Sequence, residues 1–409
     1  MTKRVDSEPT LVQHVGYTYF PIALAARIPF AMIVVGMLTL VVSERSSLSL
    51  GGFTAAAAGI GTALVGPLLG AAADRWGQKP VLLLAACVNG SALVALALIV
   101  QSTAADYWVL AIASLIGASA PQIAPMSRSR LVDIIQLKIT QRRRVRVLSS
   151  TMAYESAADE ITFVFGPVIV GILATAITPA TPIFGAAAMT LVSVVAFAFH
   201  PSARLVSPAG EVHKRAIAPA REVFRARIVV TVLGTLGMGC FFGATLTWLT
   251  SFMEDRGIPE QAGLIYGSMG VSSAVFALAV AWFPHQFRFA SRWVSFAIIL
   301  VIGTASLSFV DGIASSAVTL FVIGIGVGPS MVTMFHLAAE RSPAGRSATV
   351  MTMLGSGVIL GQSLSAAVTG FIAQNLGTDH ALLLPVVAAA IVLATGIYNM
   401  VISRGSPDH

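Results

Sequence analysis

The chain has 409 residues, of which 56% are hydrophobic and 11% charged, with a formal net charge of +7 and a mean hydropathy of +0.84. A soluble domain carries about 25% charged residues to wet its surface, and disorder needs low hydrophobicity with high charge, so both classes are excluded. Cys87 and Cys240 fall inside apolar stretches without companions, which rules out a disulfide framework and gives no reason to expect a metal site.

The segment Met1–Gln13 is polar and lacks the charged-then-apolar pattern of a cleaved signal peptide, so the first apolar run is expected to stay as a helix. A spanning helix needs about 20 predominantly apolar residues. Runs of that kind predict helices over Phe20–Val42, Gly51–Ala73, Pro80–Gln101, Tyr107–Met126, Leu148–Ile177 and Pro182–Phe199. After a polar interruption they resume over Ile228–Phe252, Ala262–Phe283, Arg292–Val310, Ala314–Phe335, Ser347–Gln374 and Ala381–Ile402. The runs are long and continuous rather than alternating over about ten residues, which favours helices over strands.

Basic residues concentrate on the cytoplasmic side of membrane proteins. With the N-terminus inside, all but three of the 25 Lys and Arg residues fall in cytoplasmic segments; Arg45 and Arg256 lie outside and Arg27 lies within the first helix. The polar stretch 201–227 divides an N-terminal half (1–200) from a C-terminal half (228–409). A weak internal repeat agrees: Ala58–Leu64 resembles Met269–Val275, and Gly117–Arg128 with Pro121 resembles Gly324–His336 with Pro329. The expected fold is all-α and multi-pass: twelve transmembrane helices in two pseudo-symmetric six-helix halves, both termini cytoplasmic, in an inner or plasma membrane. Such halves with substrate between them are a recurrent transporter plan.

Between the second and third helices the chain reads Gly70-Ala-Ala-Ala-Asp74-Arg75-Trp-Gly77-Gln78-Lys79. Gly77 supplies the freedom a tight turn needs. Asp74 can bond a helix N-terminus and favour its positive dipole end, and Arg75 and Lys79 are available as partners of that carboxylate. The stretch resembles the loop motif of the major facilitator superfamily, at the place where that family carries it; Gln78 departs from the usual basic residue. The resemblance implies a turn that clamps the two halves together in one state and releases them in the other. The corresponding turn Phe283–Arg288 lacks the aspartate and glycine, so the gate is expected to be asymmetric.

In the fifth helix, Gly166-Pro167-Val-Ile-Val170-Gly171 is similar to the motif that marks exporters and antiporters in that superfamily, with Val170 in place of the first closing glycine. The same helix carries Glu155, Asp159 and Glu160. Ionisable groups inside a membrane are expensive and line functional paths or pair with one another. From a start at Leu148, Asp159 lies about 16 Å and Glu155 about 10 Å along the helix, at a rise of about 1.5 Å per residue. The two are four residues apart and share a face. In low dielectric both cannot ionise cheaply, so one is expected to hold a proton, as a proton carrier would. Arg27 sits about 10 Å into helix one. The superfamily fold makes helices one and five neighbours, so Arg27 can pair with these carboxylates as a structural salt bridge, as part of the coupling, or as both. The arginine that the superfamily's antiporters often carry in helix four is absent from Tyr107–Met126; Arg27 or Arg128 could stand in for it.

His336 and Glu340 close helix ten and read as ordinary polar helix-end residues. Methionine and aromatic residues recur on the expected cavity helices, and Met32, Phe241, Trp248, Met331 and Phe335 are candidates for an adaptable apolar wall. No G-x-x-x-x-G-K-[ST] nucleotide loop is present, so transport would draw on a gradient. The expectation is a secondary exporter resembling drug/proton antiporters, neither an enzyme nor a nucleic-acid binder. It is expected to act as a monomer on a lipophilic or amphipathic substrate, without a cofactor. Export of a polar metabolite such as a sugar or amino acid is one alternative. A non-transporting scaffold or receptor is another, although a scaffold needs neither the motif turn nor buried carboxylates.

Overall fold

Where no water is at hand, every backbone N–H and C=O must be satisfied within the protein, and a helix does this inside one segment. The structure, a computed structural model, describes residues 9–205, 217–258, 261–284 and 286–404, and no strand occurs among the described residues. Twelve helices are long and apolar enough to cross a membrane. In the first half they are α1 Tyr19–Arg45, α2 Leu50–Trp76, α3 Gln78–Val100, α4 Asp106–Lys138, α5 Gln141–Ala176 and α6 Thr181–Phe199. In the second they are α7 Ala226–Glu254, α8 Ala262–Trp282, α9 Phe289–Phe309, α10 Ile313–Arg341, α11 Ser347–Leu376 and α12 Thr378–Ser403. Each coincides with one apolar run of the sequence. Of the connection 201–227, residues 206–216 lie outside the described residues, as does His285 of the turn between α8 and α9.

In α1 and α4 the helix is broken where proline removes a donor and crowds the preceding turn. In α1 the break falls at Ala26–Arg27, between helical pieces Tyr19–Ala25 and Ile28–Arg45, just before Pro29. In α4 it falls around Pro121, between Asp106–Ala118 and Ile123–Lys138. The second piece of α4 corrects the sequence expectation, which ended the helix at Met126 and left Arg128 and Arg130 in a loop. The helix continues because its polar side chains find partners inside the protein. Arg130 is fully buried and donates to Gln78 Oε1 at 2.9 Å and to the Phe197 carbonyl at 3.1 Å. Gln78, the departure from the family motif, is thereby used within the first half, donating also to Ser129 Oγ at 2.8 Å. A second correction concerns α5, which begins at Gln141 and runs for 36 residues. At about 1.5 Å per residue it is about 54 Å long, well beyond the roughly 30 Å of hydrocarbon, so it extends past the apolar layer. Asp159 stands halfway along it.

Each half has its own core. Met32, Leu40, Leu93 and Ile183 pack in the first; Phe241, Trp248, Trp293 and Leu320 pack in the second. A further cluster joins the halves at one end only, uniting Ile135 of α4, Met152 of α5, Val280 of α8, Phe335 of α10 and Met351 of α11. That end carries both described chain ends and Arg75, Lys79, Arg142–Arg146, Arg288 and Arg346, and is termed the basic face. The halves are therefore sealed together at the basic face, while their cores stay separate towards the other.

The seal runs along two helix pairs, α2 against α11 and α5 against α8. The α2–α11 approach depends on missing side chains. A Cβ at Gly70 would stand 2.1 Å from Thr352 Oγ1 and 2.7 Å from the Ala348 carbonyl oxygen. Overpacking of this kind costs about 1–3 kcal/mol. Gly70→Val is expected to lower the melting temperature of the purified protein in detergent. Gly171→Ala, where an added Cβ meets nothing within 4 Å, is expected to leave it unchanged.

Candidate functional site

The break in α1 places Arg27 at the start of the Ile28–Arg45 piece, facing the middle of α5. Its Nη2 donates to Glu155 Oε2, and its Nε lies 3.1 Å from Asp159 Oδ1. Arg128, on the second piece of α4, donates from Nη2 to Asp159 Oδ2 at 2.6 Å. Glu155 also accepts from Ser127 Oγ at 3.0 Å, and Ser127 Oγ stands 2.8 Å from the Tyr19 hydroxyl. Two cations and two carboxylates thus form one network on α1, α4 and α5. Arg27, Arg128 and Glu155 are buried, whereas the Asp159 side chain keeps 25% of its exposure. Asp159 is the member of the network within reach of water.

The network touches the other half through Arg128, whose guanidinium lies 3.9 Å from the centroid of the Phe335 ring on α10. A cation over an aromatic face is worth roughly 0.5–2 kcal/mol, and here the contact crosses the seal. Glu160, the third carboxylate of α5, stands apart from the arginines. It accepts from Ser273 Oγ of α8 at 2.9 Å, again across the seal.

The motif turn closes the seal on its other flank. Gly77 adopts φ +86 and ends α2, leaving Asp74 in its last turn. The Asp74 carboxylate accepts from Ala348 N at 2.9 Å, Thr349 N at 2.8 Å and Thr349 Oγ1 at 2.5 Å. An anion on the unsatisfied N–H groups of a helix start is favoured by hydrogen bonding and by the helix dipole; here the carboxylate belongs to one half and the helix to the other. Asp133 of α4 lies near it, close to Ser347 at the start of the same helix. Arg75 is exposed, and Lys79 lies over the Phe199 ring at 3.8 Å.

The remaining predicted residues fall in different places. Gly166 lets α5 approach α1 closely, since a Cβ there would stand 2.5 Å from Ala31 Cβ. Pro167 follows within the uninterrupted helix, and Gly171 faces open space. Met32, Phe241 and Trp248 are buried in the cores of their halves, so none faces a cavity in this state. Phe335 lies in the seal, and Met331 packs half-buried beside it. His336 Nε2 is 3.1 Å from Glu340 Oε1, and the imidazole stacks on Phe289. Sequence reasoning overlooked Ser127 and Asp133, whose polar neighbours in the run Ser127–Asp133 resemble an ordinary loop.

Twelve membrane-capable helices in two six-helix halves, joined at one face by polar and apolar contacts, have the architecture of a membrane transporter. The model of the Major Facilitator Superfamily matches residues 19–356. The chain belongs to that superfamily. A search of curated proteins finds no match. Among solved structures, the chain is similar to a bacterial homologue of the iron transporter ferroportin in an outward-facing state, at TM-score 0.75 and 15% identity over 96% of this chain and 100% of that one. It is similar to the human organic anion transporter MFSD10 (TETRAN) at TM-score 0.71 and 16% identity, with the same coverage of 96% and 100%. The proton:xylose symporter XylE matches at TM-score 0.67 and 14% identity over 93% and 94% of the two chains. At these identities the likeness is one of fold.

Removing one member of a buried ion pair costs about 3–5 kcal/mol, because the other is left uncompensated, whereas replacing both with apolar groups is often neutral. Arg27→Ala is therefore expected to destabilise the protein strongly, and the double variant Arg27→Met/Glu155→Leu to recover most of that loss in thermal melts. For the seal, Asp74→Ala removes a helix cap worth about 0.5–2 kcal/mol. A single cysteine at Met351→Cys, buried in the seal, is expected to react several-fold faster with a soluble maleimide in the Asp74→Ala background.

Proposed function

We propose that the protein is a proton-coupled secondary exporter of lipophilic or amphipathic compounds, working by alternating access. The basic face is then cytoplasmic, in keeping with the distribution of Lys and Arg, and the protein acts as a monomer in a cell membrane. The state described here is closed to the cytoplasm. The observation that carries the coupling is Asp159, shared between Arg27 at 3.1 Å and Arg128 at 2.6 Å and the most exposed member of the network.

A proton taken up from the far side neutralises Asp159 and removes a countercharge from both arginines. Arg128 is held between Asp159 and the Phe335 ring of the other half, so its release loosens the seal at the point where the halves touch. Glu155 keeps Arg27 compensated while Asp159 holds the proton, and it is the second carboxylate tested for coupling. Glu160 adds a third, because its bond to Ser273 has to break when α5 and α8 separate. Arg128 takes the place of the fourth-helix arginine of the superfamily's antiporters, with its partner carboxylate on α5. When the seal opens, Phe335 and Met331 become available to substrate, offering an aromatic face and a flexible thioether to apolar cargo. The Gly166-Pro167 pair supports the outward direction.

Transport into inverted vesicles under an imposed pH gradient tests the coupling. Asp159→Asn is expected to abolish gradient-driven accumulation while leaving substrate exchange without a gradient intact. Unchanged accumulation in both Asp159→Asn and Glu155→Gln would remove the coupling assignment. Cargo is tested by comparing accumulation of dyes, antibiotics and sugars in cells lacking the gene. Dyes or antibiotics are expected to accumulate there; accumulation of sugars alone would favour the polar-metabolite reading.

A further inference from the structure

On the basic face, outside the seal, the structure contains a cavity of about 2470 Å³. Ligand pockets for small molecules usually span about 300–1,000 Å³, so a sizeable ligand can be held here. The first half contributes Arg142, Arg143, Arg144 and Arg146 to its wall, all on the turns of α5 that extend beyond the apolar layer. The second half contributes Arg225 and Arg227 before and within the first turn of α7, Arg288 and Arg292 at the start of α9, and Arg341 at the end of α10. Among the described residues lining the cavity, the one carboxylate is Glu340, which lies 3.1 Å from His336. Arg225 has Glu222 at 2.8 Å, from outside the lining.

The topology preference accounts for basic residues on this face. It does not require nine of them to converge on one concavity from both halves. Some are fixed in place by neutral groups: Arg144 Nη2 donates to the Gln136 carbonyl at 2.9 Å, and Arg292 Nε to the Phe287 carbonyl at 2.6 Å. Such bonds orient a guanidinium without cancelling its charge, and the planar donor fork suits phosphate and carboxylate groups. Exposed guanidinium groups stand on both sides of the cavity, Arg142 and Arg146 from the first half and Arg288 from the second.

We propose that this cavity is a binding site for a polyvalent anion, a phosphate- or carboxylate-bearing ligand that bridges arginines of both halves and so holds the basic face closed. A ligand that contacts both halves binds the sealed state better than the open one, and it shifts the balance by that difference in affinity. The binding site stands independently of the exporter reading; only its conformational effect rests on alternating access.

The experiment uses the full-length protein in zwitterionic nanodiscs, titrated calorimetrically with sodium pyrophosphate against potassium chloride at matched ionic strength. Saturable binding is expected, weakened about tenfold or more in the surface variant Arg142→Gln/Arg146→Gln/Arg288→Gln. Pyrophosphate is expected to slow maleimide labelling of Met351→Cys several-fold in the wild-type background and to have no such effect in the triple variant. Asp159→Asn, whose side chain is not part of the cavity wall, is expected to retain saturable pyrophosphate binding, which separates this site from the coupling network. Nanodiscs with anionic lipid identify the source: slowed labelling without pyrophosphate assigns the site to a lipid headgroup, and slowing by pyrophosphate alone assigns it to a soluble anion. Absence of saturable binding, or unchanged affinity in the triple variant, would overturn the proposal.

Discussion

A charge inside a membrane has to be compensated by a partner, because hydrocarbon offers it no water. That constraint organises the centre of this molecule. Two carboxylates four residues apart on α5 meet two arginines, one delivered by the break in α1 and one by the second piece of α4. The proline-induced breaks, the close α1–α5 approach at Gly166 and the unexpected length of α4 all serve to bring these four charges together. Because Arg128 also lies over Phe335, one member of this network touches the other half directly.

The seal is asymmetric, and each flank uses different physics. On the α2–α11 flank, Asp74 of one half caps a helix of the other, with Asp133 beside it. Such a contact is strong when made, and it breaks cleanly because the freed N–H groups and carboxylate can all be hydrated. On the α5–α8 flank the aspartate and glycine of the motif are missing from the corresponding turn, and Glu160 bonds Ser273 instead. Between them an apolar cluster excludes water. A seam built from a few polar contacts that water can replace and a small apolar cluster suits a transporter of this superfamily, which has to open and reclose on every cycle.

Much of this was legible in the sequence, for identifiable reasons. Hydropathy over about 20 residues is a local property, and it located all twelve helices. Turn chemistry is local too, so Asp74 was recognisable as a helix cap, although the helix it caps begins more than 270 positions later. Long-range pairing was less accessible. Arg128 and Arg130 occupy a stretch as polar as a loop, and distant partners, among them Asp159 and Gln78, satisfy them within a helix. Lys79 was a reasonable partner for Asp74 by proximity, yet it lies over Phe199. Hydrophobicity likewise does not say which side of a helix faces a neighbour. Met32, Phe241 and Trp248 suited a cavity wall by composition and are packed in the cores.

The central claim is that protonation at the α5 network moves the two halves. Spin labels at Glu44→Cys and Glu254→Cys, at the ends of α1 and α7 away from the basic face, report that movement as a distance, in a background where Cys87 and Cys240 are replaced. The account predicts a distance distribution that changes with pH in the otherwise wild-type protein and loses that dependence in Asp159→Asn. A pH response of unchanged size in both Asp159→Asn and Glu155→Gln would contradict it.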